Sequence, residues 1–329
     1  MRYRLLGRTG LRVSEFFLGA MHFSGRDGGV SREEAERVVD TYAEAGGNVV
    51  DTAVTYGNGH SEELVGEILE GRRDRFVLST KYGMSRDGAD PNAAGNHRKN
   101  LVRSLESSLR KLRTDHIDLY WVHLWDRNTP LEETMRALDD VVRSGKVLYV
   151  GISDTPAWVV ARANTLAEWK GWTPFAGLQV PYNLLNRDVE RELLPMAEEL
   201  GLTLAAWSPL AHGKLAGKGD SGSASAPGQD RERAVLEELR AVAEELGATS
   251  GQVALSWLRK RSGVVHPILG ASRAHQLASN LEAPGTDLAA EHVRRLDEST
   301  RFSPGFPGDF LRGLPEWVWG EANGRLDGR

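Results

Sequence analysis

The sequence predicts an α/β fold, a closed (β/α)8 TIM barrel preceded by a short N-terminal β-hairpin. Three observations carry this prediction. Eight apolar runs recur along the 329 residues, and most are continuous rather than alternating, as suits parallel strands covered on both faces. Amphipathic segments with helix-start signals lie between them. No composition shift or internal repeat beyond the βα alternation divides the chain, so a single domain spanning 1–329 is expected. An open doubly wound sheet shares the same alternation and is the structural alternative.

The elements follow in order. RYRLLG and LRVSEF form the expected hairpin, placed to plug the barrel floor, and FFLGAM from Phe16 is the first barrel strand. Ser31 with Glu34 fits a capping box, in which each side chain satisfies the other residue's free N–H. The runs NVVDTA (from Asn48), FVLSTKY (from Phe76) and IDLYWVH (from Ile117) are strands two to four. Thr129, Pro130 and Glu132 read as N-cap, first-turn proline and N3 acid. The helix that follows puts Leu131, Met135, Leu138 and Val142 on one core-facing side. KVLYVGIS (from Lys146), GLQVPY (from Gly177) and TLAAWSP (from Thr203) continue the barrel. Gly213–Asp230 is Gly/Ser-rich and aperiodic, either an inert insertion or a flap over a ligand. Thr249 with Gln252 repeats the capping pattern, and VVHPILGA (from Val264) is the eighth strand. Ser272 reads as the N-cap of a short helix carrying His275 to Leu281. The tail FSPGFPGDFLRGLPEWVWG reads as ordered coil.

Bulk properties narrow the function. A net charge of -5 argues against a dedicated nucleic-acid surface. The absence of cysteine excludes disulfides, thiolate catalysis and cysteine-bound metals. MRYRLLGRTGLRVSEFF has no apolar run of signal-peptide type, and no stretch reaches membrane-spanning length. A cytoplasmic location, with no membrane or nucleic-acid partner, is the expectation.

In this barrel class, chemistry sits where strands end and βα loops begin. Asp51 ends the second strand and Tyr56 lies in the loop after it; Lys81 ends the third strand and His123 the fourth. Reduction of a carbonyl needs a proton for the forming alkoxide. A phenol can supply it, and a neighbouring ammonium stabilises the phenolate left behind. Lys81 is placed to do this for Tyr56. Asp51 can hold Lys81 charged and oriented, and His123 can polarise the carbonyl oxygen. Singly, each residue is as readily a structural ion pair, a loop anchor or a satisfied histidine. The four together at rim positions are what point to catalysis.

With these residues in view, the chain resembles the aldo-keto reductase family. DTAVTYGNGHSEELVGEIL (Asp51–Leu69) is similar to its Asp-Thr-Ala-x-x-Tyr-Gly signature, LSTKYG to its lysine strand, and DHIDLYWVHLWD to its histidine segment. The resemblance implies that Asp51, Tyr56, Lys81 and His123 are the catalytic tetrad, with Tyr56 as acid/base and NADPH (NADP+) as cofactor. It also implies a cofactor site. LGAMHFSG puts Met21 beside the cofactor ribose, with Asp51 close by. GISD and QVPYN supply Ser153, Asp154 and Gln179 to the carboxamide and Tyr182 to stack on the nicotinamide ring. WSPLAHGKLAGK places Trp207, Ser208, Leu210, Gly213 and Lys214 near the nicotinamide and pyrophosphate. PILGASRAHQLASNLEA supplies Gly270, Ser272, Arg273, Gln276 and Asn280 to the adenosine phosphate. There a helix N-terminus and the Arg273 guanidinium suit a 2′-phosphate, and Gln276 and Asn280 share a helical face turned to the adenine.

One position departs from the family pattern: this chain has Ser153-Asp154 where Ser-Asn is usual. An ionised aspartate only accepts hydrogen bonds, and its charge favours the oxidised ring. Phe23, Trp125, Trp317 and Trp319 are candidates for an apolar or aromatic substrate pocket, with Trp207 lining substrate or cofactor. The function expected is reduction of aldehydes or ketones, small-molecule carbonyls, by hydride transfer. The alternative is a nicotinamide-binding regulatory or redox-sensing subunit resembling potassium-channel β subunits. A metal-dependent hydrolase using Asp51 and His123 lacks the histidine-rich strand ends it would need.

Overall fold

A computed structural model of the chain describes residues 1–24, 29–217, 229–320 and 325. The antiparallel hairpin is β1 (Tyr3–Leu5) and β2 (Arg12–Ser14). Eight parallel strands then close a barrel: β3 (Phe17–Gly19), β4 (Val49–Asp51), β5 (Val77–Tyr82), β6 (Ile117–Val122), β7 (Val147–Ser153), β8 (Phe175–Pro181), β9 (Thr203–Trp207) and β10 (Val265–Gly270). Neighbours pair in sequence order, and β10 returns to β3. All eight strand runs expected from the sequence are found, and the expected (β/α)8 barrel with its hairpin is the fold.

The helices are α1 (Arg32–Glu44), α2 (His60–Ile68), α3 (Arg98–Lys111), α4 (Leu131–Arg143), α5 (Ala157–Lys170), α6 (Leu193–Leu200), α7 (Gln229–Leu246), α8 (Ser250–Arg261), α9 (Ala274–Leu281), α10 (Ala290–Ser299) and α11 (Gly308–Arg312). Their apolar faces and the outward strand residues form the larger core. Among the described residues no helix is long and apolar enough to cross a membrane.

The strand period of two sorts residues between this shell and the lumen. Phe17, Val49, Val77, Leu119 and Ala205 point inward, while Leu18, Val50, Leu78 and Tyr120 point to the helices. Leu6 and Val13 from the hairpin join the inward set, so the hairpin does stopper the floor. Trp121 fills the middle of the lumen. It can because its register partner on β7 is Gly151, which in turn pairs with Gly177 on β8. A Cβ at Gly151 would lie 2.3 Å from the indole, and one at Gly177 would lie 2.9 Å away. Low in the lumen the buried His266 and Thr203 are tied to the hairpin segment; with the floor and middle packed, the C-terminal mouth is left for a larger set of polar side chains.

The helix starts correct three expectations. Ser31 does cap α1, accepting from the Glu34 N–H at 3.3 Å. The Glu34 carboxylate does not return the bond; it reaches across to the Ala274 N–H of α9 instead. At α4 the cap position is Pro130, with no side-chain cap, and the Thr129 hydroxyl donates to Asp126. At α9 the cap position is Arg273 and its side chain makes no capping bond; the Ser272 hydroxyl donates to Gln276 Oε1. The Thr249–Gln252 box is reciprocal, as expected. Met135 and Leu138 are buried against the core and Leu131 and Val142 partly so. The tail is not simple coil: it includes α11 and a 3-10 turn, Glu316–Trp319. Most of the segment read as a flap, residues 218–228, lies outside the described residues.

Candidate active site

Backbone strain marks the mouth independently of its chemistry. Among the described residues seven non-glycine positions have positive φ, and five of them, Asn58, Asp154, Ser208, Ala211 and His212, lie in rim loops after β4, β7 and β9. Each such conformation costs roughly 1–3 kcal/mol and persists where the surroundings impose it, often at ligand sites.

The period of two carries inward parity up to the rim. On β5, Val77, Ser79 and Lys81 share the lumen side, as do Val49 and Asp51 on β4; Asp51 and Ser79 are register partners. Lys81 is almost completely buried. Its ammonium donates to Asp51 Oδ2 at 2.5 Å, to the Thr52 carbonyl at 2.9 Å and to the Tyr56 hydroxyl oxygen at 3.1 Å. The Asp51 carboxylate also accepts from Ser79 Oγ and, at 3.3 Å, from Gln179 Nε2. Burial alone would push the Lys81 ammonium toward the neutral form. The charge of Asp51 and the oxygens of Asp51 and Tyr56 outweigh it, so the group is held above the ordinary lysine value.

His123 follows β6, its ring edge-on to that of Tyr56 with centroids 6.0 Å apart. Burial, with the nearby Lys81 charge, pushes its pKa down to about 3. The imidazole is therefore neutral at physiological pH and offers one N–H and one lone pair. Its Nδ1 is buried without a hydrogen-bond partner among the described residues. The structure thus brings all four tetrad residues together. Tyr56 is half-buried and closes the chain on the open side.

Further round the mouth, Ser153 and Gln179 are register partners at the ends of β7 and β8, both buried. The Asp154 N–H donates to the Gln179 carbonyl, and its carboxylate accepts from Trp207 Nε1 at 3.1 Å. Burial raises the Asp154 carboxyl above the ordinary aspartate value. Met21, half exposed, follows β3. Gly270 ends β10 with the His22 ring beside it, where a Cβ would sit 3.3 Å away. The Ser208 hydroxyl accepts from the His212 N–H, Leu210 packs on the core, and Gly213 has φ +95°. Lys214 pairs with Glu232 of α7 at 2.7 and 2.9 Å. Asn280 lies on α9 with Gln276.

Tyr182 is not where a stacking residue must be. It is fully buried on the outward side with Leu178 and Val180, its hydroxyl donating to Glu190 at 2.7 Å and its ring edge-on to Trp257. Trp207, inward at the end of β9, is a half-buried aromatic at the mouth. Phe23 is likewise wholly buried in the core. Trp125 does line an open groove of about 530 Å³, together with Gly83, Met84 and Leu124, residues that follow Lys81 and His123 closely in the chain. Trp158 stands edge-on to Trp125, centroids 5.5 Å apart. Trp317 and Trp319 are exposed.

Three participants have no place in the sequence reading, Ser79, Glu232 and Trp158, and Glu34 figures there only as a cap of its own helix. Only Ser79 carried a usable signal, standing two residues before Lys81 on the same strand face.

Fold and mouth together define a (β/α)8 barrel with a buried polar cluster at its C-terminal rim, and comparison with known proteins gives the family. A profile of the Aldo/keto reductase family matches residues 15–301, and the chain belongs to that family. It is 39% identical to norsolorinic acid reductase of Aspergillus flavus over 95% of this chain and 84% of the relative. It is 38% identical to the aryl-alcohol dehydrogenase [NADP(+)] of Phanerodontia chrysosporium, over 91% of this chain and 85% of the relative. A putative aryl-alcohol dehydrogenase of Saccharomyces cerevisiae is also 38% identical, over 93% of this chain and 88% of the relative.

Proposed function

We propose that the chain, one barrel domain over its length, is an NADPH-dependent reductase of aldehydes and ketones with Tyr56 as general acid. The observation that carries this reading is the buried Lys81 ammonium, shared between the Asp51 carboxylate and the Tyr56 hydroxyl. Three acidic or basic groups compete for the role of proton donor. His123 is neutral, and Lys81 is enclosed by Asp51, Thr52 and Tyr56. Tyr56 is the group open to the mouth.

The residues present fit a nicotinamide dinucleotide. Trp207 is a half-buried aromatic at the mouth, the buried Ser153 and Gln179 are paired at the ends of β7 and β8, and strained backbone surrounds Ser208–Gly213. Met21, Asp51, Ser153, Asp154, Gln179 and Trp207 would hold the nicotinamide end, with Tyr182 supporting from behind. Ser208, Leu210, Gly213 and Lys214 would hold the pyrophosphate, Lys214 exchanging Glu232 for it. Gly270, Ser272, Arg273, Gln276 and Asn280 would take the adenosine phosphate. The bound cofactor supplies a hydride to the carbonyl carbon.

The chain's own residues handle the oxygen. The neutral His123 donates a hydrogen bond to the carbonyl oxygen and polarises it. As negative charge develops there, Tyr56 gives up its hydroxyl proton. The phenolate that remains is stabilised by the Lys81 ammonium 3.1 Å away. Asp51 keeps that ammonium charged.

The groove has an apolar wall of Met84, Leu124 and Trp125, with Trp158 edge-on to Trp125, and a polar side that includes Asp126 and Arg127. It favours flat aromatic carbonyls, in keeping with relatives named for aryl alcohols. The test is turnover of aromatic and aliphatic aldehydes with NADPH. Aromatic aldehydes should be reduced fastest. Tight nucleotide binding without turnover of any carbonyl would reject the reading in favour of a sensing subunit.

A further inference from the structure

The N-terminus of α9, where the reading above seats the adenosine phosphate, already holds an anion. Arg273 occupies the cap position and provides no side-chain acceptor; its guanidinium donates to the Ser272 carbonyl at 2.9 Å. The Ala274 N–H donates instead to Glu34 Oε1 at 2.7 Å, a bond spanning 240 residues of sequence. The other carboxylate oxygen, Oε2, accepts from the Arg37 guanidinium one turn along α1, at 2.5 and 3.1 Å. The Glu34 side chain is only 13% exposed, and its main chain is fixed by the Ser31 cap. Arg273 interacts with the carboxylate through space.

Glu34 therefore caps α9 from another helix. A helix N-terminus attracts negative charge through its free N–H groups and dipole. Here that attraction is spent on a carboxylate. A 2′-phosphate drawn to Ser272 and Arg273 must displace Glu34 or sit beside it against like-charge repulsion. A bare ribose meets neither cost, since its 2′-hydroxyl can donate to the carboxylate. Arg37, then the Ala274 N–H, hold the Glu34 carboxyl below the ordinary glutamate value, so it is charged at neutral pH.

We propose that Glu34 is a cofactor-specificity residue: its carboxylate occupies the helix terminus that attracts the 2′-phosphate and so weakens the preference for NADPH over NADH. The proposal rests on the adenosine-phosphate seat assigned under the proposed function.

The experiment is equilibrium titration of NADPH, NADH and adenosine 2′,5′-bisphosphate at fixed ionic strength. It compares the wild-type chain with Glu34→Gln, Glu34→Ala and Arg273→Ala. Glu34→Gln keeps an acceptor for the Ala274 N–H, so α9 remains capped. Glu34→Ala removes both charge and cap. Both Glu34 variants should bind NADPH and the bisphosphate about five- to tenfold more tightly, with NADH changed less than about twofold. An unchanged or reduced NADPH-to-NADH preference in both overturns the role of Glu34. Arg273→Ala separates that failure from failure of the seat. If it weakens NADPH selectively while the Glu34 variants change nothing, the seat stands and the Glu34 proposal alone falls. If Arg273→Ala affects both cofactors equally, the phosphate is bound elsewhere and the assigned seat falls together with the proposal.

Discussion

The indole N–H of Trp207 donates to the carboxylate of Asp154 across 3.1 Å, joining the end of β9 to the end of β7. Asp154 is in the left-handed region at φ +44°, a conformation that Asn and Asp tolerate better than most residues. The bond orients the ring proposed to face the nicotinamide and places a carboxylate beside it. Asp154→Asn preserves the backbone and an acceptor for Trp207 but deletes the charge. The ratio of NADP+ to NADPH dissociation constants should rise by about three- to tenfold, since the oxidised ring loses an anion. Titration of both cofactors at mildly alkaline pH measures it; an unchanged ratio would show that Asp154 acts through Trp207 alone.

Removing the Tyr56 hydroxyl tests the proton donor. Tyr56→Phe should lower kcat for aldehyde reduction by about two to four orders of magnitude. NADPH affinity should stay within about threefold, because the hydroxyl's partner is Lys81. A rate close to wild type would exclude Tyr56 as the acid.

The lumen offers a stability test away from the chemistry. In Gly151→Ala the new methyl would stand 2.3 Å from the Trp121 ring, itself fully buried and walled in by β7 and β8. Overpacking of this kind should cost about 3 kcal/mol. Urea denaturation should show a lower midpoint, and an unaltered one would mean the indole has room to turn.

Two buried histidines predict acid sensitivity. His123 is pushed down to about 3 and His266 to about 4, burial being the leading cause for both. Their ordinary value is 6.5. Below that pH the unfolded chain takes up protons that the folded chain refuses. Their stabilisation is thus complete above pH 6.5 and is lost as pH falls toward about 4 and then about 3. The slope is roughly 1.4 kcal/mol per pH unit for each histidine in this window. His266→Gln, which can still donate to the Ser14 carbonyl, should remove about half of this slope in urea titrations between pH 6 and 4.5. An unchanged slope would assign the acid sensitivity to other groups.

Much of the mouth is legible in the sequence. The apolar runs specify strands, and alternation along each strand specifies which residues turn inward. Asp51, Lys81 and Trp207 follow from that parity. The same rule applied to β8 puts Tyr182 outward with Leu178 and Val180, so its burial beside Glu190 was implicit although the family resemblance pointed the other way. Caps made within one turn, such as Thr249 with Gln252, were readable because donor and acceptor are sequence neighbours.

What local sequence could not determine is who meets whom once the barrel closes. Glu34 looks like half of a capping box on α1, yet its carboxylate is drawn to a free N–H on α9, which stands next to α1 because β10 closes against β3. Lys214 looks like a phosphate ligand, yet α7 brings Glu232 to it. Periodicity and capping depend on residues a few positions apart, so the chain alone determined its elements and the lumen-facing side of each. Electrostatic partnerships form between surfaces that only ring closure brings together, and these the tertiary structure decided.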